Sequence, residues 1–471
     1  MESEGLMSVD METEYWVPEH VREHLRTLGF VLPIEAMEGH IRTWHEWMEA
    51  TGSFYDYRDQ DGFGRLYEVH RRSIHPAMRV CKEWGSLLLN DKTQVVCDDQ
   101  GCTDFLGTFF SASNFMPMAQ ATVVRAFGMG TGAWALWADT AKSLVKVRHY
   151  DARMVIPLTW DEEGVTECAF VTRVFYRGKA VDQLQLHLIG SLGTYRIDTV
   201  CFDSDGNQIE VDGILPSYET GSPFATFSIV KPAIDNTRVD MSPYGQSVFA
   251  DAVDAIQAVD LAFDALINEV DVSKMRIFLS DVLFDKESDG KGKRVSIPFG
   301  KQDCTVFRKV MSTEDTIQDF APALRTASQA EAFRIALQML GDLTGFGISY
   351  FDFDNTGYVK TATEVSSDNS ALMRNIARHE HLLEGSLANL SHALLHMSRS
   401  FGNELADEGD IHVLFDDSII SDTAAEKAQD MAEVGVTMHA WEYRAKWYGE
   451  DEKTAKARVR GLKVAGDERA Q

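Results

Sequence analysis

The chain has 471 residues, 44% of them apolar, and a formal charge of −28 at neutral pH. That length suits about three structural units of roughly 150 residues, and the apolar fraction is enough for a sizeable core, which excludes a globally disordered chain. The acid excess excludes a protein that grips nucleic-acid phosphates over its whole surface, because that work needs clustered Lys and Arg; it leaves open a protein that encloses DNA without holding it, since a wall of like charge keeps a polyanion centred and mobile.

The start, MESEGLMSVDMETEYW, is acidic and lacks an apolar core, so no signal peptide is expected. No run approaches the ~18 apolar residues of a membrane span. The expectation is a soluble protein that stays in a cytoplasm until it is assembled. Six cysteines are scattered at 81, 97, 102, 168, 201 and 304. Cys97 and Cys102 have poor spacing for zinc and no second pair nearby, and so large a chain does not need a disulfide framework. They read as free, partly buried thiols.

Residues 1–140 read as mostly helical, with apolar spacings of three and four over Val21 to Leu28, Glu35 to Met48 and Arg65 to Leu89. Trp44, Trp47 and Trp84 lie on these stripes as core or interface anchors. Gly128-Met129-Gly130-Thr131-Gly132-Ala133 fits the dinucleotide pattern G-x-G-x-x-G/A on paper. That mechanism needs a strand before the glycines and a helix after them. Here a helix over Gln120–Phe127 precedes and a strand over Ala133–Trp137 follows, so a glycine turn in the core is the better reading.

From 144 to 230 the period changes to two. Gln183 to Leu188 alternates as a half-buried strand does, and Val165–Tyr176 and Thr194–Asp203 are rich in Val, Thr, Phe and Tyr. Turn residues at Glu163-Gly164, Arg177-Gly178, Gly190–Gly193 and Asp203–Gly206 separate them, which predicts an antiparallel meander of four to six strands. Pro216, Pro223, Pro232 and Pro243 break the next stretch. Gln246–Val270 then reads as a strong helix with Val248, Ala252, Ile256, Val259, Phe263, Leu266 and Val270 on one stripe. Residues 246–273 carry six acids (Asp251, Asp254, Asp260, Asp264, Glu269, Asp271) and no Lys or Arg. The acids divide between two faces, so they do not form one metal cluster.

Residues 274–320 read as a small inserted β unit, with strands at Met275–Ser280, Arg294–Pro298 and Cys304–Val310 and a basic tip at 288–293. Ser328–Thr344 is helical and stops at Gly345 and Gly347. Phe346–Lys360 is an aromatic, Asp-rich loop. Thr361-Ala362-Thr363-Glu364 is a capping box opening a long helix whose stripe is Leu372, Ile376, His379, Leu383, Leu387, Leu390 and Leu394. A break at Gly402, a short strand at His412–Phe415 and helices over about 423–434 and 438–448 finish the chain; the last twenty residues are expected to fray.

Asp352-Phe353-Asp354-Asn355-Thr356-Gly357 resembles the start of a calcium loop, but the twelfth position falls on Thr363 where a bidentate Glu is required; Glu364 is one residue late. Asp203–Asn207 is a hairpin turn first. The chain contains no G-x-x-x-x-G-K-[ST], H-E-x-x-H or G-x-S-x-G pattern. No catalytic residue, cofactor or metal site is assigned.

Gly245-Gln246-Ser247-Val248-Phe249-Ala250, the acidic helix with Asp254, Asp260 and Asp264, the run from Leu343 to Ser349 and the run from Lys360 to Val365 together resemble tailed-bacteriophage portal proteins, in particular the group typical of siphophages of Gram-positive bacteria. Arg72–Leu89 and Phe224–Asn236 fit the same group. The likeness spans most of residues 65–400, and the order and spacing of these segments make it specific.

The resemblance implies an α+β portal-type fold with wing, stem, clip and crown: residues 1–245 the wing, with a helical N-terminal part and the meander at about 144–230; 246–273 a stem helix; 274–320 the clip; 321–345 the second stem helix; 346–361 a tunnel loop; 362–450 a long helix and crown; 451–471 a tail. It implies a twelve-subunit ring at one capsid vertex, the channel for DNA packaging and ejection. Its partners would be terminase, the major capsid and scaffolding proteins, a head–tail adaptor and the double-stranded DNA passing through, with no membrane. Localisation would be the virion, after assembly in the host cytoplasm. Asp251, Asp254, Asp260 and Asp264 become candidates for lining the channel. Tyr350, Asp352, Asp354, Asn355, Tyr358 and Lys360 become candidates for the tunnel loop, and Lys291, Lys293 and Arg294 for facing terminase. Two rivals stand beside this: another head–tail structural protein (adaptor or minor capsid protein), which would lack the helix–β insert–helix arrangement, and a metal-dependent nuclease using Asp352, Asp354 and Glu364.

Overall fold

The structure is a computed structural model; it describes residues 15–60, 64–139, 142–272, 276–280, 287–288, 294–295, 306–309, 317–320, 325–351, 362–415, 427, 430–434, 438–448 and 453–459. Two helices open it, α1 (Glu19–Thr27) and α2 (Ile34–Glu49). Each buries one stripe, Val21 and Leu25 on α1 and Ile34, Met37, Ile41, Trp44 and Met48 on α2, as amphipathic helices on a core do. A hairpin follows, β1 (Asp56–Gln60) paired with β2 (Leu66–His70), and then α3 (Pro76–Leu88). The expected helix over Arg65–Leu89 is therefore corrected: its first part is a strand. The break falls at His75, which stands at φ 52°, and Pro76 then starts the helix, where its fixed φ suits the first turn and its missing N–H costs nothing.

After β3 (Gln94–Cys97), helix α4 (Gln100–Ala112) is capped by Asp99, whose carboxylate accepts from the Cys102 N–H at 2.8 Å. Helix α5 (Phe115–Met129) ends at Gly130 and the chain runs directly into β4 (Gly132–Asp139). This is the helix–glycine–strand order read from the sequence, and the reverse of a nucleotide loop. Trp44 and Trp84 are in the core and Trp47 packs against it. The five described cysteines are free.

The meander forms two antiparallel sheets. One has β5 (Leu144–Asp151) on one side of β4 and β12 (Phe227–Val230) on the other. The second runs through β6 (Val155–Trp160), β7 (Val165–Tyr176), β8 (Lys179–Ile189), β9 (Tyr195–Phe202) and β10 (Gln208–Ile209) in that order, with β11 (Ser217–Glu219) also on β9. Asp203 makes the β9–β10 turn, its carboxylate accepting from the N–H groups of Asp205 (3.0 Å) and Asn207 (2.8 Å). One expectation changes here. The alternation of β8 predicts a polar face in water, yet Gln183, Gln185 and His187 are buried. The glutamines are satisfied inside, where Arg148 on β5 donates to both at 2.9 and 3.2 Å; of the His187 ring nitrogens, Nδ1 meets Thr226 Oγ1 at 2.7 Å while Nε2 is buried without a partner. Beside them a second small core lies between the sheets, built from Ala133, Tyr150, Phe170, Tyr195 and Phe227.

Helix α6 (Val253–Val272) leads into the insert of β13 (Arg276–Ser280), β14 (Glu287–Ser288), β15 (Arg294–Val295), β16 (Val306–Lys309) and β17 (Ile317–Phe320). β13 is its centre, with β16 parallel on one edge and β17 antiparallel on the other; β14 and β15 pair as a hairpin. Helix α7 (Thr326–Leu343) returns and stops at Gly345 and Gly347, both at positive φ. Helix α8 (Ala362–Ser400) is 39 residues long. All seven residues of its expected stripe, Leu372 to Leu394, are buried. β18 (Ile411–Leu414) then pairs antiparallel with β3, tying the C-terminal part back to the N-terminal helices; α9 (Ala440–Tyr448) follows. The capping residue Thr361, the basic tip at 289–293 and the last twelve residues lie outside the described residues.

Helix α6 starts seven residues later than the sequence pattern suggests. The stretch from Gln246 to Ala252 is apolar enough for a helix, but it passes through the core as successive turns, the Ala250 N–H reaching Ser247 and the Ala252 N–H reaching Phe249. Its Val248 N–H donates to the Phe127 carbonyl at 2.9 Å, on the last turn of α5. A tertiary acceptor there replaces the local one a helix would supply.

Candidate functional site

Helices α6 and α7 are antiparallel and bracket the β insert, so the pair is a helical hairpin with a small β unit at its tip. Phe263 and Phe333 meet between them at 6.5 Å. At the neck of the insert Arg325 clamps Glu269. Its guanidinium donates at 3.1 and 2.7 Å, and its backbone N–H adds a third bond at 3.3 Å. These bonds hold the Glu269 carboxyl below its usual range. A two-pronged pair fixes the relative roll of the two helices, which a single-point contact would not.

The hairpin is mounted on the N-terminal part of the chain through a buried carboxylate. Asp260, fully buried on α6, accepts from the Tyr55 hydroxyl at 2.7 Å, the Ser73 hydroxyl at 2.7 Å and the Ile74 N–H at 3.1 Å. Burial and the neighbouring Asp260 push the Tyr55 phenol well up. One turn further on, Arg72 reaches Asp264 at 3.4 Å and Asn268 at 2.8 Å. The segments flanking the β1–β2 hairpin thus grip one face of α6. This corrects the channel-lining assignment of Asp260: its carboxylate is spent inside the subunit, because three donors from 55, 73 and 74 need an acceptor away from water. Asp264 is half-buried beside Arg72. Asp251, just before the helix, is exposed and pairs with Arg238 at 2.5 Å, and Asp254 is exposed on its first turn.

Replacing Asp260 with Asn keeps the shape and the acceptor for the Ile74 N–H, but it forces the Tyr55 and Ser73 hydroxyls to turn from donating to accepting and removes the charge that strengthens all three bonds. The expected loss is about 2 kcal/mol of stability, and Tyr55→Phe should cost about half of that. Urea unfolding of the two variants checks this; equal stability of Asp260→Asn and the parent chain would remove the mount.

The far end of the hairpin is tied to α3 and α8. The Trp84 indole donates to the Thr344 carbonyl at 3.2 Å and its ring lies 4.5 Å from Phe346 and 4.7 Å from His379. Asn375 on α8 donates to the Gly345 carbonyl at 2.9 Å. Tyr350, the described member of the tunnel-loop set, donates to Glu83 at 3.0 Å and packs on Phe346 and Phe351. Asp352, Asp354, Asn355, Tyr358 and Lys360 lie outside the described residues, as do Lys291 and Lys293; Arg294 is in strand β15. Sequence reasoning missed Tyr55, Arg72, Ser73 and Arg325. The one visible hint was Arg71-Arg72, a basic pair in an acidic chain.

Among the described residues no group of three His, Cys, Asp or Glu side chains is placed to hold a metal ion. No described helix is long and apolar enough to cross a membrane. What the arrangement offers is mechanical: a stiff hairpin, locked in roll and fixed at both ends, carrying a β unit away from the body.

A family model described as "Phage portal protein, SPP1 Gp6-like" matches residues 67–448. No curated protein matches the chain. Among solved structures it is similar to a chain in the virion of a native gene transfer agent (GTA) particle, at 13% identity and a TM-score of 0.39 over 86% of this chain and 92% of that one. A chain in the neck of the native GTA particle, computed with C12 symmetry, has the same identity and TM-score over 79% and 89%.

Proposed function

This chain belongs to the family of phage portal proteins of the SPP1 Gp6-like kind, and from that we propose that it forms a closed ring at the portal vertex of the virion through which double-stranded DNA is packaged and ejected. The observation that carries the reading is the α6–insert–α7 unit inside the matched region, clamped at its neck by Glu269 and Arg325. An adaptor or minor capsid protein has no use for that arrangement.

In this reading residues 1–245 are the wing, and α6 and α7 are stem helices. The 274–320 insert is the clip that meets terminase during packaging and the head–tail adaptor afterwards, with Lys291, Lys293 and Arg294 facing the partner. Residues 346–361 are the tunnel loop and 362–450 the long helix and crown. Capsid and scaffolding proteins surround the ring. Asp251 and Asp254 are the acids left at the surface to line the wall. A ring of twelve such subunits repels phosphates from every side, so DNA slides without being held. The role is structural, and the motor is a separate protein.

The purified chain is expected to give rings of about twelve copies in negative-stain images, with a matching mass in solution. Monomers alone, at every salt concentration tried, would overturn the proposal.

A further inference from the structure

Helix α7 has two apolar faces. One, with Ala336, Leu337, Leu340 and Gly341, is buried in its own subunit. The other carries Ile335, Met339 and Leu343, 46%, 54% and 51% exposed and spaced by four. Single exposed apolar residues are ordinary, but a contiguous ridge on one helix face marks a covered surface. Helix α6 has a complementary face. Its side opposite Phe263 presents Leu261, 47% exposed, next to the small Ala258 and Ala265. Phe263 is the side that meets α7, so the ridge and this face look out from opposite flanks of the hairpin.

Resting on the ring reading above, we infer that the α7 ridge of one subunit packs against the outer face of α6 of the next copy of this chain. The heights match. A rotation about an axis along the hairpin moves no residue along it, so each residue meets its neighbour's residue at its own height. Phe263 beside Phe333 and Glu269 beside Arg325 set that scale within one subunit. On it Leu261 stands level with Ile335, and the large Met339 stands level with the small Ala258, as ridges seated in grooves require. Asp254 comes level with Asp342, so like charges hold that end of the contact open and leave Asp254 to the solvent side.

DNA does not fit the ridge. Glu331 and Asp342 border it, and Arg334 is engaged by Glu331 at 2.7 Å. The two flanks together expose on the order of 400 Å² of apolar surface, about half of what one partner gives a standard interface; the stem contact therefore sets register while the wing supplies the rest.

The test is oxidative cross-linking of the full chain carrying Leu261→Cys and Ile335→Cys together. The expected result is a ladder of disulfide-linked species ending at the closed ring, absent from either single variant and from the parent chain with its native thiols. A second arm uses charge: Leu261→Glu and Ile335→Lys should each lose at least ten-fold in ring yield with unchanged circular dichroism, and the double variant should recover it. Rings that form in the parent chain but give no ladder, and tolerate both charges, would overturn this contact while leaving the ring intact. A parent chain that makes no rings would overturn the ring reading itself.

Discussion

Lowering the pH from 7 to 5 is expected to cost the fold about 5 kcal/mol, well before its carboxylates titrate. Three histidines carry the effect, His187 and His379 buried and His149 half-buried. His149 on β5 and His379 on α8 are each lowered to about 4, and His187 on β8 to about 3. Burial is the first cause in all three; the charge of Arg378 adds to it at His379. The geometry agrees, because the His379 ring nitrogen accepts the Ala233 N–H at 3.0 Å and must be unprotonated to do so. A folded value below the unfolded one near 6.5 means the unfolded chain takes up the proton first. Stability is therefore full above pH 6.5 and falls as the pH drops toward 4. Each histidine contributes about 1.4 kcal/mol per pH unit within that window, so three give a slope of about 4. Glu38, Glu269 and Glu408 are also lowered, but their window opens only below about 4.5. Urea midpoints between pH 7 and 5 measure the slope. His379→Gln and His187→Gln should each remove about one proton from it. A flat profile above pH 5 would mean that these rings are hydrated or charged in the fold.

Much of the architecture was legible because period reports burial. The α8 stripe is buried at all seven expected positions, and the three strands expected in the insert coincide with β13, β15 and β16, while β14 and β17 were not foreseen. The errors share a cause. The β1–β2 hairpin is exposed on nearly every residue, so its sequence carries no alternation to read. β8 keeps its alternation, but its polar side is buried against Arg148, a partner 35 residues away. Six acids between 246 and 273 look alike in the sequence. Only the fold shows that Asp260 meets donors 187 and 205 residues earlier, and that Glu269 meets Arg325 across the insert. The site was therefore legible as a layout, helix–insert–helix, and not as a set of side-chain roles.

Gly245, the first residue of one of the segments that carry the family resemblance, is expected to be among the least replaceable residues. Its backbone lies against that of Gly130. A Cβ on Gly245 would stand 2.3 Å from the Gly130 carbonyl oxygen, and a Cβ on Gly130 would stand 2.4 Å from that of Gly245. Both obstacles are backbone, so no side chain can rotate away. Gly130 is also at φ 84°, which adds a conformational cost of about 1–2 kcal/mol for any other residue. With about 1–3 kcal/mol for forced overpacking, Gly130→Ala should lose about 3 kcal/mol or more, and Gly245→Ala somewhat less because it lacks the dihedral term. Gly39, inside α2 with open space around its Cα and an ordinary φ, is the control: Gly39→Ala should gain about 0.5–1 kcal/mol. The same contact holds the Gly245 N–H on Thr131 Oγ1 at 3.0 Å and the Val248 N–H on Phe127, and so determines where α6 begins. A chain forced apart there releases Gln246–Ala252 toward the helix its sequence favours and shifts the hairpin against the Asp260 mount. Gly245→Ala should therefore lower ring yield by more than its stability loss alone explains. Thermal unfolding and ring counts on the same preparations separate the two effects; a Gly245→Ala chain that loses stability but forms rings at the level of an equally destabilised variant in α1 or α2 would confine the contact to stability.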